Sequence, residues 1–509
     1  MSAAAAVVFS LADEDDTARL MADLALLLSP GDTVTLSGDL GAGKTTAARA
    51  LIRYLAGDET LDVPSPTFTL VQLYDLPPFA LLHGDLYRIA DDSELDEIGL
   101  SPWPEDTVTL IEWPERAAAA LPADRLDVAL RHDAGGGEGT RVATVTGFGA
   151  AAAQAARLDM LRRFLEGAGL GRARRTRMAG DASTRSYARL AHDGESLILM
   201  NSPRRPDGPP VHDGKSYSQA VHLAEDVRPF VAIANGLRAR GFSAPAIRHA
   251  DLDHGFLVTE DLGSDPVVVG IPPAPIRERY EAATDWLAAL HGLNLPDTLP
   301  LPLPAHSHAI PPFDVDAMLV EVSLMLDWYL PDRGVAVGPR TRADFFDLWR
   351  ELLIGRIAGM ATTWVLRDYH SPNLIWCGAR EGLARVGVID FQDTVRGPAA
   401  YDLVSLLQDA RVDVPEDLEI AGLVRYSRAR LKADPGFDAA AFAESYAIMS
   451  AQRNTRLLGT FARLNRRDGK PHYLRHQPRV WTYLKRSLAH PALHEVRDWY
   501  AARVPAPGR

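Results

Sequence analysis

The sequence predicts two domains of different class, an α/β P-loop domain over residues 1–150 and a two-lobed α+β domain over residues 151–509. Three observations lead there. An apolar strand-like run, Thr33-Val34-Thr35-Leu36, precedes Gly38-Asp39-Leu40-Gly41-Ala42-Gly43-Lys44-Thr45 and a helix-like run from Thr46 to Ile52. Far downstream, Asp368 stands five residues before Asn373, and an apolar strand then ends in Asp390-Phe391. A chain of 509 residues is also too long for one hydrophobic core.

Composition places the chain among ordinary globular proteins, with 47% apolar and 24% charged residues. The start, Met1 to Phe9, is apolar without a basic region, so it reads as a first strand rather than a signal peptide. No run reaches the ~18 apolar residues of a membrane span. The one cysteine, Cys377, forms no internal disulfide, which points to the cytoplasm. Charge is uneven. Residues 1–150 hold 9 Lys and Arg against 25 Asp and Glu, a net of −16, and the remainder carries +3. An acidic first domain is a poor direct binder of nucleic acid, where phosphate neutralisation supplies the affinity.

The strand, glycine-rich turn and helix around Gly38–Thr45 form a phosphate cradle. Its glycines let backbone N–H groups turn inward, and the helix N-terminus adds positive partial charge. Lys44 reaches the β- and γ-phosphates and Thr45 can ligate Mg²⁺. Asp85 ends the run Leu81–Asp85, and Glu112 ends Leu110–Glu112. Carboxylates at strand carboxyl ends are candidates for metal or water positioning. The lesser alternatives are a helix cap for Asp85 and a solvated carboxylate for Glu112, and Trp113 reads also as core.

These motifs, with Ser65-Pro66-Thr67-Phe68-Thr69-Leu70-Val71, His83-Gly84-Asp85-Leu86-Tyr87-Arg88 and Ile111-Glu112-Trp113-Pro114-Glu115, resemble the TsaE family. That family is the ATPase subunit of the machinery making threonylcarbamoyladenosine at tRNA position 37. The resemblance implies ATP hydrolysis with Lys44 and Glu112 catalytic and Mg²⁺ on Thr45 and Glu112. It implies nucleotide contacts from Gly41, Ala42, Gly43, Lys44, Thr45, Thr46 and Asp85, with Thr67 in a switch-like loop. Glu14 and Arg141 match its nucleotide-flanking regions, and its partners are TsaB and TsaD subunits.

Gly135–Gly139 reads as a hairpin tip, and the alanine-rich run from Gly149 enters an amphipathic helix pattern over Leu158–Leu165. The second domain centres on Arg367-Asp368-Tyr369-His370-Ser371-Pro372-Asn373. Asp368 can accept or orient the proton of an attacking hydroxyl. Asn373 and Asp390 can supply oxygens to Mg²⁺ bridging phosphates. The same residue types also build turns. Upstream, Gly180–Leu190 reads as a hairpin over ATP phosphates, with Ser183, Thr184 and Arg185 at its tip, and Leu257–Gly263, including Glu260, as an interlobe hinge. Either reads also as an ordinary hairpin. A kinase strand lysine is missing: Met200 stands there, and the five lysines of the chain, at 44, 215, 432, 470 and 485, lie elsewhere. Arg185 or Lys215 is a stand-in, or the site works without one.

This half resembles the aminoglycoside-phosphotransferase-like family, a protein-kinase-like fold. Within it, the half is similar to sugar kinases of the AmgK type. The match rests on Gly180-Asp181-Ala182-Ser183-Thr184-Arg185-Ser186-Tyr187, Ile198-Leu199-Met200, Arg367–Leu374, Asp390-Phe391-Gln392-Asp393 and Gln452–Leu464. The resemblance implies an N-lobe over about 156–262, a C-lobe over about 263–509 and ATP-dependent phosphorylation of the anomeric hydroxyl of N-acetylmuramic acid or N-acetylglucosamine in peptidoglycan recycling. The absent lysine is then a trait of the subgroup. Trp328, Tyr329, Trp364 and His370 are candidates to meet a sugar, and each reads also as core or helix surface. Two alternatives stay open: another hydroxyl acceptor (an aminoglycoside, choline or homoserine), and a non-catalytic nucleotide-holding domain that regulates the first.

Overall fold

The computed structural model describes residues 5–508, apart from 78, 91–93, 101, 136, 138, 179–184, 205–207 and 303–305. The chain forms two compact units. One is Met1–Pro203 with Arg248–Asp261, and the other is Arg204–Ile247 with Leu262–Arg509.

The first unit contains a seven-stranded sheet, β1 (Ala5–Leu11), β2 (Thr33–Ser37), β3 (Val71–Asp75), β4 (Ala80–Asp85), β5 (Val108–Glu112), β6 (Arg125–His132) and β7 (Arg141–Phe148), in the order β1-β7-β6-β2-β5-β4-β3. The centre is parallel, with β2 between β5 and β6 and β4 beside β5. All five residues of β5 are buried, as expected of a strand covered on both faces. The edges are antiparallel, and β6 pairs with β7 as consecutive strands. Register then sets the site: Leu36 and Asp85 both pair with Glu112, so the carboxyl ends of three strands meet at one level.

Helix α1 (Glu14–Ala25) is capped by Asp13, whose side chain accepts from the Asp16 N–H at 2.7 Å, and acidic residues fill its first turn. Helix α2 (Lys44–Ala56) starts at the P-loop and stops at Gly57, in the left-handed conformation. Helix α3 (Ala152–Gly167) follows the alanine-rich run.

The same unit holds a second, antiparallel sheet of β8 (Arg174–Arg177), β9 (Ser186–His192), β10 (Glu195–Asn201), β11 (Ile247–Asp251) and β12 (Phe256–Glu260), in the order β11-β12-β10-β9-β8. One apolar cluster joins it to the first sheet's helices: Leu26, Leu161 and Leu165 pack with Leu190, Leu199 and Phe256. At that junction Asp23 of α1 is fully buried. It accepts from Arg162 of α3 at 3.0 Å and from Arg175 of β8 at 3.0 and 3.1 Å. Ser186 Oγ adds a hydrogen bond to the Leu26 carbonyl at 2.7 Å.

The second unit is mostly helical. It comprises α4 (Arg228–Arg238), α5 (Arg277–Leu290), α6 (Val315–Leu324), α7 (Ala400–Leu407), α8 (Glu416–Ala433), α9 (Ala439–Asp468) and α10 (Gln477–Leu488), with the short strand pairs β13 (Thr362–Val365) with β16 (Val395–Pro398) and β14 (Leu374–Trp376) with β15 (Val386–Val388). The 30-residue α9 packs on α6, α7 and α10. Gly459 permits the closest approach, since a Cβ there would lie 2.3 Å from the Leu324 carbonyl. The fold classes are those the sequence predicts.

Asp23→Ala is expected to lower stability by about 3–5 kcal/mol, because it leaves two buried guanidiniums without their counter-charge. Breaking the exposed Arg174–Glu59 pair with Arg174→Ala is expected to cost about 0–1 kcal/mol. Urea unfolding of the full chain checks both.

Candidate active sites

The P-loop leaves β2 through Gly38, whose φ of 134° and 2.1 Å clearance between an added Cβ and the Leu130 carbonyl admit only glycine. Gly41 and Gly43 also have positive φ. Lys44 is buried, with Nζ donating to the carbonyls of Gly38 at 2.6 Å and Asp39 at 2.9 Å. Its ammonium lies 3.4 Å from the centre of the Trp113 ring. Burial pulls the Lys44 pKa below the ordinary lysine value, and Glu112, Glu115 and Asp85 pull the other way.

Glu112 is buried and makes two side-chain contacts. Thr45 Oγ1 donates to its Oε2 at 2.8 Å, and His83 Nε2 lies 3.0 Å from its Oε1. Asp85 accepts from Ser65 at 2.6 Å, Thr67 at 2.8 Å and the Tyr87 N–H at 2.9 Å. The switch-like loop is thus tied to the carboxylate that ends β4. Gly41, Gly43, Lys44, Thr45, Thr46, Asp85 and Glu112 all line a cavity of about 420 Å³. A second cavity of about 280 Å³ shares Gly43 and Thr46 with it and adds Glu14, Ala42 and Arg141. Arg141 Nε donates to the Ala42 carbonyl at 3.2 Å. All the first-domain site residues singled out in the sequence therefore come together. Glu112 is not a solvated carboxylate, and Trp113 covers the lysine instead of filling the core.

In the second unit, Asp402 and Asp409 hold the loop carrying Asp368. Asp402 accepts the N–H groups of Leu366 at 2.7 Å and Arg367 at 2.9 Å. Asp409 accepts the N–H and hydroxyl of Ser371 at 2.9 and 2.5 Å. Both anchors are fully buried. Sequence reasoning missed them, although acidic residues in or just after the apolar run Tyr401–Leu407 are the signal to look for. Asn373 Nδ2 donates to the Asp368 carbonyl at 3.0 Å and points to Asp390 Oδ2 at 3.5 Å. Gln392 fixes the other Asp390 oxygen at 2.8 Å. Arg367 and Asp390 have φ of 67° and 59°, and Trp113 of the first unit has 60°. Each site therefore holds backbone in the left-handed region at a non-glycine residue.

Asp368 is partly open to solvent. Arg456 Nη2 stands 3.9 Å and His370 Nε2 3.8 Å from its Oδ1. Burial pushes its pKa up, while His370, Arg456, Arg367 and Arg453 pull it down, and the net direction is down. Burial with the nearby Arg411 holds His370 down at about 4, so at neutral pH the arginines keep Asp368 ionised. Tyr329 and Trp364 are core residues, bonded to the carbonyls of Pro505 at 2.8 Å and Pro296 at 2.9 Å, and Trp328 is half-buried.

On the antiparallel sheet of the first unit, buried Met200 pairs with Leu257, and Glu260 pairs with Leu197 at the end of β12. Arg189 and Ser196 hold Asp261 at 2.7 Å each. Arg185 is half-buried ahead of β9, and Lys215 is exposed. Ser183 and Thr184, with Gly180–Ala182, lie outside the described residues.

Among the described residues no three His, Cys, Asp or Glu side chains converge as a metal cage. Thr45 with Glu112, and Asn373 with Asp390, each offer a pair of neighbouring oxygen-bearing groups. That suits Mg²⁺, which takes few protein ligands and completes its shell with phosphates and water.

His370 and His476 are both held at about 4, chiefly by burial. They stay neutral in the folded chain while the unfolded chain protonates near 6.5. Stability is therefore expected to fall as pH drops from about 6.5 to 4, with up to about two protons taken up on unfolding. His476→Gln is expected to remove roughly half of that slope, measured from unfolding free energies across the window.

Residues 11–141 match the family Threonylcarbamoyl adenosine biosynthesis protein TsaE, and residues 174–443 match the Phosphotransferase enzyme family. The N-acetylmuramate/N-acetylglucosamine kinase of Caulobacter vibrioides is 37% identical over 359 residues, 68% of this chain and 96% of that protein. The protein of the same name from Pseudomonas aeruginosa is 31% identical over 332 residues, 64% of this chain and 87% of that one. The tRNA threonylcarbamoyladenosine biosynthesis protein TsaE of Rickettsia bellii is 40% identical over 121 residues, 24% of this chain and 83% of that protein.

Proposed function

We propose a function for each half from one premise: the chain belongs to the phosphotransferase enzyme family through residues 174–443, groups there with the N-acetylmuramate/N-acetylglucosamine kinases, and carries a TsaE domain over residues 11–141. It is a bifunctional enzyme, an ATPase and a kinase. Residues 1–150 hydrolyse ATP in service of threonylcarbamoyladenosine formation on tRNA, reached through TsaB- and TsaD-like partners. A net charge of −16 supports that indirect route. Residues 151–509 transfer phosphate from ATP to the anomeric hydroxyl of N-acetylmuramate or N-acetylglucosamine.

The observation that carries the kinase reading is an ionised, partly open Asp368 beside Asn373 and Asp390. Asp368 accepts the hydrogen bond of the acceptor hydroxyl and takes its proton as the new O–P bond forms and the bond to the leaving phosphate oxygen breaks. With its pKa held down, Asp368 is a weak base. An anomeric hydroxyl is more acidic than an ordinary alcohol, so the two are matched without a strand lysine. Magnesium, when bound by Asn373 and Asp390 here and by Thr45 and Glu112 in the first half, neutralises charge on the phosphates.

In the P-loop half, Lys44 meets the β- and γ-phosphates, and backbone N–H groups of residues 41–46 surround them. Glu112 holds Thr45 and His83 in place. Glu14 and Arg141 flank the nucleotide. Ser183, Thr184 and Arg185 cover phosphates in the kinase half, with Glu260 at its hinge. No helix among the described residues is long and apolar enough to cross a membrane. Both proposed substrate classes support a cytoplasmic location.

Asp368→Asn in the full chain is expected to reduce sugar phosphorylation by at least ~10² and to leave ATPase activity near wild type. Lys44→Ala is expected to do the converse, abolishing P-loop ATPase and sparing the kinase. Steady-state assays of both activities on each variant check this. Phosphorus NMR should show a sugar 1-phosphate, and phosphate on the 6-hydroxyl or on an antibiotic would overturn the acceptor assignment.

A further inference from the structure

The motif Gln452–Leu464 on α9 supplies Arg453 and Arg456 to the surroundings of Asp368, and Arg463 near its end has no part in the chemistry so far. Resting on the acceptor reading above, we propose that Arg463, with Arg456 and Tyr217 beside it, binds a carboxylate on the acceptor and so selects the acid-bearing sugar N-acetylmuramate over its neutral counterpart.

Arg463 is an arginine of this cluster with no ion pair among the described residues. Arg367, Arg453, Arg456 and Arg463 stand around Glu321 and Asp368, with Asp409 acting on Arg453 and Asp468, more distantly, on Arg463. Arg456 donates to Glu321 Oε1 at 3.0 Å, and Arg367 bonds the same oxygen. Arg453 is 2% exposed and donates to Ser405 at 2.9 Å, and its Nε and Nη1 find no hydrogen-bond partner among the described residues. Arg463 has no carboxylate within 4 Å among the described residues. Its guanidinium lies 4.7 Å from the centre of the Tyr217 ring, and its buried Nε has no hydrogen-bond partner among the described residues. Burial lowers the pKa of both arginines, the direction expected of cations short of counter-charge.

The row also has the right direction. Arg456 and Arg463 are two turns apart on one face of α9, about 10 Å along its axis. One end stands 3.9 Å from Asp368, the acceptor of the hydroxyl proton. Tyr217 lies within the field of Glu321, Arg463, Arg456 and Arg367 and links the two ends. In N-acetylmuramate the carboxylate sits on a lactyl ether at C3, two ring carbons away from the anomeric C1, and the ether arm extends its reach away from the anomeric hydroxyl. With that hydroxyl on Asp368, the carboxylate falls toward Arg463, whose fork matches a carboxylate with two parallel hydrogen bonds.

The test is kinetics of the full chain on both sugars. Arg463→Gln is expected to raise KM for N-acetylmuramate about tenfold or more, with kcat within about twofold, and to leave both constants for N-acetylglucosamine within about twofold. Arg463→Lys should recover part of the loss. In the wild type, added KCl should raise KM for N-acetylmuramate and leave that for N-acetylglucosamine unchanged, which reads the same contact without a variant that must fold. Equal losses on both sugars, no loss on either, or the same salt response for both would overturn the Arg463 site and leave the kinase reading standing. A wild type that phosphorylates neither sugar would overturn the acceptor reading itself.

Discussion

One buried carboxylate organises the junction between the two halves. Asp23 of α1 is held by Arg162 of the connecting helix and by Arg175 of the first strand of the kinase half. Three segments that the sequence assigns to different regions thereby share one charge cluster, and Leu26, Leu161 and Phe256 from the same segments and sheet pack in one apolar cluster. Each guanidinium is buried and needs a counter-ion, so the arrangement admits little relative motion without exposing a charge to an apolar surround. The boundary that the sequence leads one to expect near residue 150 therefore lies inside a compact unit. Cutting there would leave Asp23 without either partner.

The two sites share a construction. In each, the candidate functional carboxylate or its loop is held by hydrogen bonds with neighbouring groups. His83 and Thr45 hold Glu112, and Ser65 and Thr67 hold Asp85. Asp402 and Asp409 hold the loop carrying Asp368. In each, a residue with positive φ, Trp113 or Asp390, stands where ordinary backbone would turn its side chain elsewhere. The strain persists because surrounding hydrogen bonds fix the loops.

The missing strand lysine is explained by the environment. Met200 is buried in the sheet opposite Leu257, where an ammonium would need a counter-charge the pairing does not offer. Arg189, on the adjacent strand, is taken up by Asp261. Within the second unit, Arg367, Arg453 and Arg456 help to hold the Asp368 pKa down.

The sequence by itself determined the two fold classes, the P-loop and the Asp368–Asn373–Asp390 set. Each of these works through residues close in sequence: consecutive N–H groups around a phosphate, or a carboxylate five residues from an amide on one loop. Spacing carries that information, and the strand ending in Glu112 was readable because a carboxylate closes an apolar run. Tertiary structure alone decided what holds those residues. Arg175 meets Asp23 across 152 residues, Arg456 meets Glu321 across 135, and Thr45 meets Glu112 across 67. Such partners leave no local pattern, because a buried charge chooses its counter-ion by position in the packed chain and not by position in the sequence.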